Sequence, residues 1–296
     1  MLPSTPSRTA LATAYLRAAH QILDGPRLLL SDPYALRLLG KGAELRIREG
    51  IARYQTPEGL ALRSHVVLRS RYAEDRLSAS MQRGVSQYVV VGAGFDTFAL
   101  RQPHWATSLK IVEVDHSATQ QAKRAQIADS GLTLPGNVRL ADIDFERESL
   151  LEGMLRHGIV PSQPTLFSWL GVTMYLTESA IDETLRSMVA FAPGSEVVLT
   201  FMQPTATDSG PAADGRSRLA GVVAESGEPF VSFFDEQALE AKLRGVGFST
   251  VEFLTPEVAQ SRYFQNSDTK LPPPRRTGIA SAIHNERILR TAHLSR

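Results

Sequence analysis

The chain has 296 residues, 43% of them hydrophobic and 21% charged, an ordinary composition for a globular protein. Its net charge of +1, from 32 basic and 31 acidic residues, gives no broad field that would draw nucleic acid or an anionic membrane. The absence of cysteine excludes disulfides, thiolate metal sites and a thiol nucleophile. No apolar run reaches the roughly 18 residues that span a bilayer, and MLPSTPSRTALATAYLRAAH lacks the uninterrupted apolar core of a signal peptide. The expectation is a cytoplasmic protein, monomer or homodimer, without metal, membrane or nucleic-acid partner.

Residues 1–84 read as a helical N-terminal cap. In TALATAYLRAAHQIL, Leu11, Tyr15, Leu16 and Ile22 recur at helical spacing, and Asp24-Gly25-Pro26 stops the run. In SDPYALRLLG, Ser31 or Asp32 can cap a second helix, Pro33 suits its first turn, and Gly40 ends it. A third and longer helix runs from PEGLALRS to Gly84.

From residue 85 to 296 the texture is that of an α/β domain. Short β-rich runs fall at 88–92, 109–114, 137–141, 165–170 and 196–201, with two more at 249–254 and 278–284. Helical runs lie between them at Ala118–Ser130, Glu146–His157, Ser179–Phe191 and Asp235–Arg244. Apolar strands alternating with helices predict a doubly wound, mostly parallel seven-stranded sheet. Residues 203–229 are poor in large apolar side chains until Leu219 and read as a lid insertion with one short helix. KLPPPRR cannot be regular structure, because its prolines remove backbone donors.

The chemistry concentrates in YVVVGAGFDT, where a strand runs into Gly92-Ala93-Gly94. Glycine there lets backbone approach a ligand where a Cβ would collide. In open parallel sheets an acidic residue about 20 positions on binds ribose hydroxyls. IVEVDH supplies two such residues, Glu113 and Asp115, 19 and 21 positions after Gly94, of which one is expected to face the ligand. A dinucleotide turn would carry a third glycine where Thr97 stands, preceded here by Asp96. A carboxylate in the turn is a poor neighbour for a pyrophosphate and suits a cationic ligand. S-adenosylmethionine (SAM), with its ammonium and sulfonium, is therefore favoured over NAD.

VVVGAGFDTFALR, IVEVDHSATQQAKR and WLGVTMYLTESAIDETL together resemble the leucine carboxyl methyltransferase family of class I SAM-dependent methyltransferases. The likeness extends to SDPYALRLL and RSRYAEDRL upstream, and to GEPFVSFFDEQALEAKLRGVGF downstream, covering roughly residues 28 to 254. It implies that Gly92, Ala93 and Gly94 lie against the methionine part of SAM and that Arg69 pairs with its carboxylate. By the same resemblance Asp115, with Glu113 and His116 beside it, takes the ribose. Asp142 then contacts the adenine amino group, while Ile143 packs on the ring.

One position departs from the family. Leu170 stands where a glutamate usually contacts the methionine amino group, so that ammonium is expected on the Leu170 carbonyl or on Asp96. This marks a divergent branch.

The expected activity is O-methylation of a small-molecule acceptor, possibly at a carboxylate of a secondary metabolite. Arg71, Tyr72 and Tyr175 are candidate acceptor contacts, and His65, His116 and Tyr175 are candidate bases. Plainer roles compete: Asp96 and Asp142 as caps, Arg69 and Arg71 as solvated or ion-paired surface charges, Trp105 and Trp169 as packing. The alternatives are an NAD-dependent oxidoreductase and a non-catalytic SAM-binding protein.

Overall fold

The structure is a computed structural model and describes residues 6–143, 148–204, 221, 227–265 and 269–285. The helices that precede the sheet are α1 (Arg8–Leu23), α2 (Ala35–Leu38), α3 (Ala43–Glu49), α4 (Ile51–Gln55) and α5 (Pro57–Met81). There follow β1 (Gln87–Val91), α6 (Phe98–Arg101), β2 (Lys110–Asp115), α7 (Ser117–Asp129), β3 (Val138–Asp142), α8 (Leu150–Arg156) and β4 (Thr165–Trp169). The chain continues through α9 (Glu178–Val189), β5 (Glu196–Thr200), α10 (Glu236–Val246), β6 (Thr250–Phe253), α11 (Pro256–Ala259) and β7 (Ile279–Ile283).

The seven strands lie in the order β3-β2-β1-β4-β5-β7-β6. The first five are parallel, and β7 runs antiparallel to both β5 and β6. Every residue of β1, β4 and β5 is buried, as strands with helices on both faces require. Strand order reverses between β1 and β4, which places the switch point, and so the ligand crevice, at the carboxyl end of β1.

All seven expected strands form within about two residues of their anticipated ends, and the mostly parallel sheet is as expected. The short helices α3, α4 and α11 were not anticipated; Gly42, at φ 84°, and Gly50 punctuate the first two. The helix expected over Glu146–His157 begins at Leu150, where Ser149 and Glu152 form a capping box, and residues 144–147 lie outside the described ones. Most of the expected 203–229 insertion also lies outside the described residues.

The long helix α5 is part of the sheet's own layer. Its Val67, Leu68, Tyr72 and Leu77 share one core with Tyr88 and Val90 of β1 and Ile111 of β2. The opposite face packs Val89, Val91, Phe167 and Trp169 against Ile181, Leu185 and Leu243 of α9 and α10. A third cluster joins α1 to α4 through Leu16, Leu38, Ile47 and Tyr54, and reaches Phe95 of the turn after β1. The N-terminal helices are also stapled by charge. Asp24 accepts from Arg63 Nε and Nη2, both at 2.7 Å, while His20 Nδ1 lies 2.8 Å from the same carboxylate. Among the described residues no helix is long and apolar enough to cross a membrane.

Candidate functional site

The turn after β1 is built on glycine conformations. Gly92 has φ 69° and Gly94 has φ 51°, both in the left-handed region that other residues avoid. The N–H groups of Gly92 and Ala93 both donate to Val114 O, at 2.8 and 3.0 Å. A Cβ on Gly92 would stand 2.3 Å from Val172 Cγ2, and one on Gly94 would stand 3.0 Å from Ala10 Cβ. The turn is therefore shaped from below by β2 and covered from above by the segment after β4 and by α1.

Asp115 ends β2 and closes this turn with its side chain. Its Oδ2 accepts from Gly94 N at 2.6 Å and its Oδ1 from His116 N at 2.7 Å. Burial raises its pKa above the usual carboxylate range, against the pull of those two N–H groups and of Lys123. Glu113 has the same orientation, because residues two apart on a strand share a face. Depth separates them, not alternation: Glu113 is fully buried and ion-paired to the equally buried Lys123 of α7. Its pKa is raised by burial, opposed by Lys123. The structure thus brings Asp115 to the turn and leaves Glu113 in the core. His116 caps α7, its Nδ1 facing Ala118 N at 3.4 Å.

Asp142 is the register neighbour of Asp115 on β3 and receives Arg124 Nη1 at 2.9 Å. The backbone N–H of Ile143 donates to Asp115 O at 3.2 Å, but its side chain is buried against Gly153, at which a Cβ would meet Ile143 Cδ1 at 2.3 Å. Asp96 Oδ1 accepts from Phe98 N at 2.7 Å, a local bond ahead of α6, whose N-cap residue is Thr97. Asp96 Oδ2 faces Arg17 Nη1 at 3.4 Å. Burial works to raise the Asp96 pKa, yet the charges of Arg17, Lys123 and Arg101 bring it below the usual range, so the carboxylate is ionised.

Arg69 points from α5 to the far side of the same crevice. Its guanidinium lies on Gly171 (φ 76°), where a Cβ would be 2.6 Å from Nη1 and 2.8 Å from Nη2. Among the described residues it makes no hydrogen bond or ion pair. Burial and the nearby Arg17 charge lower its pKa to about 10. Leu170 packs on the sheet core with its apolar side chain, and Gly171 N donates to Thr200 Oγ1 at 2.6 Å. His65, one helical turn before Arg69, is held down to about 3 by burial and by the Arg69 charge.

Tyr175 ends a short turn, and Thr177 caps α9 behind it. Its ring centroid is 5.5 Å from that of Phe230, and burial raises its pKa. Beside it, Glu228 Oε2 accepts from Ser7 Oγ at 3.2 Å, from Thr9 N at 3.3 Å and from the Thr9 hydroxyl, fastening the first turn of α1. Two expected acceptor contacts are directed elsewhere. Arg71 pairs with Asp75 at 3.0 Å on the exposed side of α5, and the Tyr72 hydroxyl lies 3.1 Å from Ser281 Oγ in the core.

Arg17 was absent from the expected set. It is buried on α1, bonds Phe95 O through Nη2 and stands between Asp96 and Asp32. Its signal was a charge inside YLRAAH, on a helix whose neighbouring Leu16, Ala18 and Ala19 are buried.

The crevice therefore holds the buried Arg17 guanidinium and the partly buried Arg69 one, the latter unpaired among the described residues, with ionised Asp96 and the Asp115 carboxylate beside a glycine turn at the switch point. A family model described as leucine carboxyl methyltransferase matches residues 10–189, more than half of the chain. The chain belongs to the leucine carboxyl methyltransferase family. YktD of Bacillus subtilis (strain 168), named for S-adenosyl-L-methionine-dependent methyltransferase activity, is 30% identical over 286 residues, covering 90% of this chain and 93% of its own. A Mycolicibacterium vanbaalenii protein with the same naming is 28% identical over 277 residues, covering 89% and 90%.

Solved structures share the fold of this methyltransferase. One from Thermobifida fusca, titled a methyltransferase, has TM-score 0.54 at 19% identity and covers 86% of this chain and 93% of its own. A DUF574 family protein from Streptomyces avermitilis has TM-score 0.55 at 13% identity and covers 95% and 98%. The protein is a SAM-dependent methyltransferase with SAM as its cofactor, and neither an NAD-dependent oxidoreductase nor a non-catalytic binder is favoured.

Proposed function

We propose that this methyltransferase acts on an oxygen of a small-molecule acceptor, and that a carboxylate is the acceptor its side chains suit best. The site residues fit SAM. Gly92 and Gly94 offer bare backbone, the Arg69 fork has no carboxylate paired to it among the described residues, and two bonds from backbone leave lone pairs free on Asp115. Asp115 would take the ribose and Arg69 the methionine carboxylate, with Asp142 at the adenine. The first turn of α1, Tyr175 and Phe230 would wall the acceptor, with the helices ahead of α5 as the cap.

Bound SAM supplies a methyl group on a sulfonium whose leaving group is already activated. The protein's part is to align the acceptor atom behind that methyl and to exclude water. The observation that carries the carboxylate reading is the state of the candidate bases. His65 is pushed to about 3, His116 turns Nδ1 to its own helix, and burial raises Tyr175 and keeps it protonated. A phenol, with a reference pKa of about 10, needs a base. A carboxylate, at about 4, arrives ionised and needs none.

The test is incubation with methyl-labelled SAM and a panel of small carboxylic acids, phenols, alcohols and amines. Methyl esters release their label as methanol in mild alkali, and that outcome is expected. A label that stays bound in alkali, on a phenol or an amine, would replace this reading.

A further inference from the structure

The SDPY turn reads in sequence as a helix cap, and nothing in the proposed chemistry uses it. In the structure neither Ser31 nor Asp32 caps α2, whose N-cap residue is Tyr34 with no side-chain cap bond. Asp32 Oδ1 accepts from Tyr34 N at 3.2 Å, which is the local turn. Its Oδ2 accepts from the hydroxyl of Thr97, 65 residues away in the last position of the GAGFDT turn. The same oxygen faces Arg17 Nε at 3.9 Å and Arg101 Nε at 3.7 Å. The carboxyl group is wholly shielded from solvent.

A surface cap would be served by serine or asparagine. A fully buried charge is retained only with partners, and here the partners all belong to the cofactor crevice or its support. Thr97 also receives Arg101 Nε at 3.3 Å, and Arg101 is itself gripped by both oxygens of Glu74. Arg17 Nε is buried without a hydrogen-bond partner, so the Asp32 charge is what faces it.

We propose that Asp32 is a positioning residue for the methionine end of SAM: it fixes the Gly92–Thr97 turn through the Thr97 hydroxyl and sets the Arg17 guanidinium beside Asp96. This rests on the reading that the methionine end lies between that turn and Arg69. Asp32 itself cannot touch the ligand and acts through these two residues.

Two ligands separate positioning from mere structural support. S-adenosylhomocysteine carries the amino-acid end, whereas 5′-methylthioadenosine has the same nucleoside and sulfur without it. Calorimetric Kd values are measured for both with wild type, Asp32→Asn, Thr97→Val and Thr97→Ser. Asp32→Asn and Thr97→Val are expected to weaken S-adenosylhomocysteine about tenfold and to leave methylthioadenosine unchanged, while Thr97→Ser, which keeps the hydroxyl, retains wild-type binding. Equal losses for both ligands, or no loss for either, overturn the role. If Asp32→Asn does not fold, the isosteric Thr97→Val carries the comparison alone. A wild type that binds neither ligand overturns the cofactor site itself, and the role of Asp32 with it.

Discussion

The backbone N–H of Gly94 lies 2.6 Å from Oδ2 of Asp115, so the last residue of β2 holds the turn that follows β1. One carboxylate thus shapes the glycine turn and, in the proposed site, would also take the ribose. Asp115→Ala removes both contributions, whereas Asp115→Asn keeps an acceptor oxygen for Gly94 and loses the charge. Hydrogen bonds to a charged group are worth about 1.5–3 kcal/mol, or roughly tenfold to a hundredfold in binding. S-adenosylhomocysteine affinity should fall by at least that range in the alanine variant and by less in the asparagine variant. Calorimetry on the two variants checks the order, and an undiminished Asp115→Ala would remove Asp115 from the site.

Glu113 and Lys123 give the opposite expectation for stability. The pair is buried on both sides, and Glu113 Oε1 has no partner of its own. Breaking such a pair costs about 3–5 kcal/mol because a charge is left uncompensated, while replacing both members is close to neutral. Lys123→Met should therefore lower the denaturation midpoint far more than Glu113→Leu with Lys123→Met together. The double variant should still bind S-adenosylhomocysteine. Loss of binding in a stable double variant would return Glu113 to the ribose.

Gly92 combines two constraints that can be separated. Alanine at φ 69° costs about 1–2 kcal/mol from the left-handed backbone alone, and its Cβ would also stand 2.3 Å from Val172 Cγ2. Gly92→Ala should destabilise the protein and weaken cofactor binding. Adding Val172→Ala relieves the collision and leaves the backbone cost, so thermal stability should recover only in part. Full recovery would mean that the conformation carries no weight.

What was legible in the sequence follows from how local each signal is. YVVVG and EVVLTF announce buried strands because both faces are apolar, and GAG with EVD marks the switch point because glycine and carboxylate are needed at fixed positions. The direction of β7 was not legible, since GIASAIH reads alike in either sense. Arg71 could have been set apart from Arg69 by geometry alone, because residues two apart on a helix do not share a face. Arg17, Asp32 and Thr97 were out of reach for a different reason. Their partners are brought together by the docking of α1 and the SDPY turn onto the sheet, across separations as long as 79 residues.

His65 yields a prediction whose sign runs against the usual role of a histidine near an active site. Burial and the Arg69 charge hold it at about 3, against an ordinary value of 6.5. The unfolded chain takes up a proton on His65 as pH drops below 6.5, and the folded protein does so only near 3. His65 therefore favours the folded state fully above pH 6.5, and that contribution is lost progressively from 6.5 down to about 3. His65→Gln lacks this titration. Its denaturant midpoint, compared with wild type, should improve on going from about pH 7.5 to about pH 5, with the other titrating groups common to both proteins. A difference that stays constant between the two pH values would show that His65 is protonated normally in the folded chain, and would reopen it as a base.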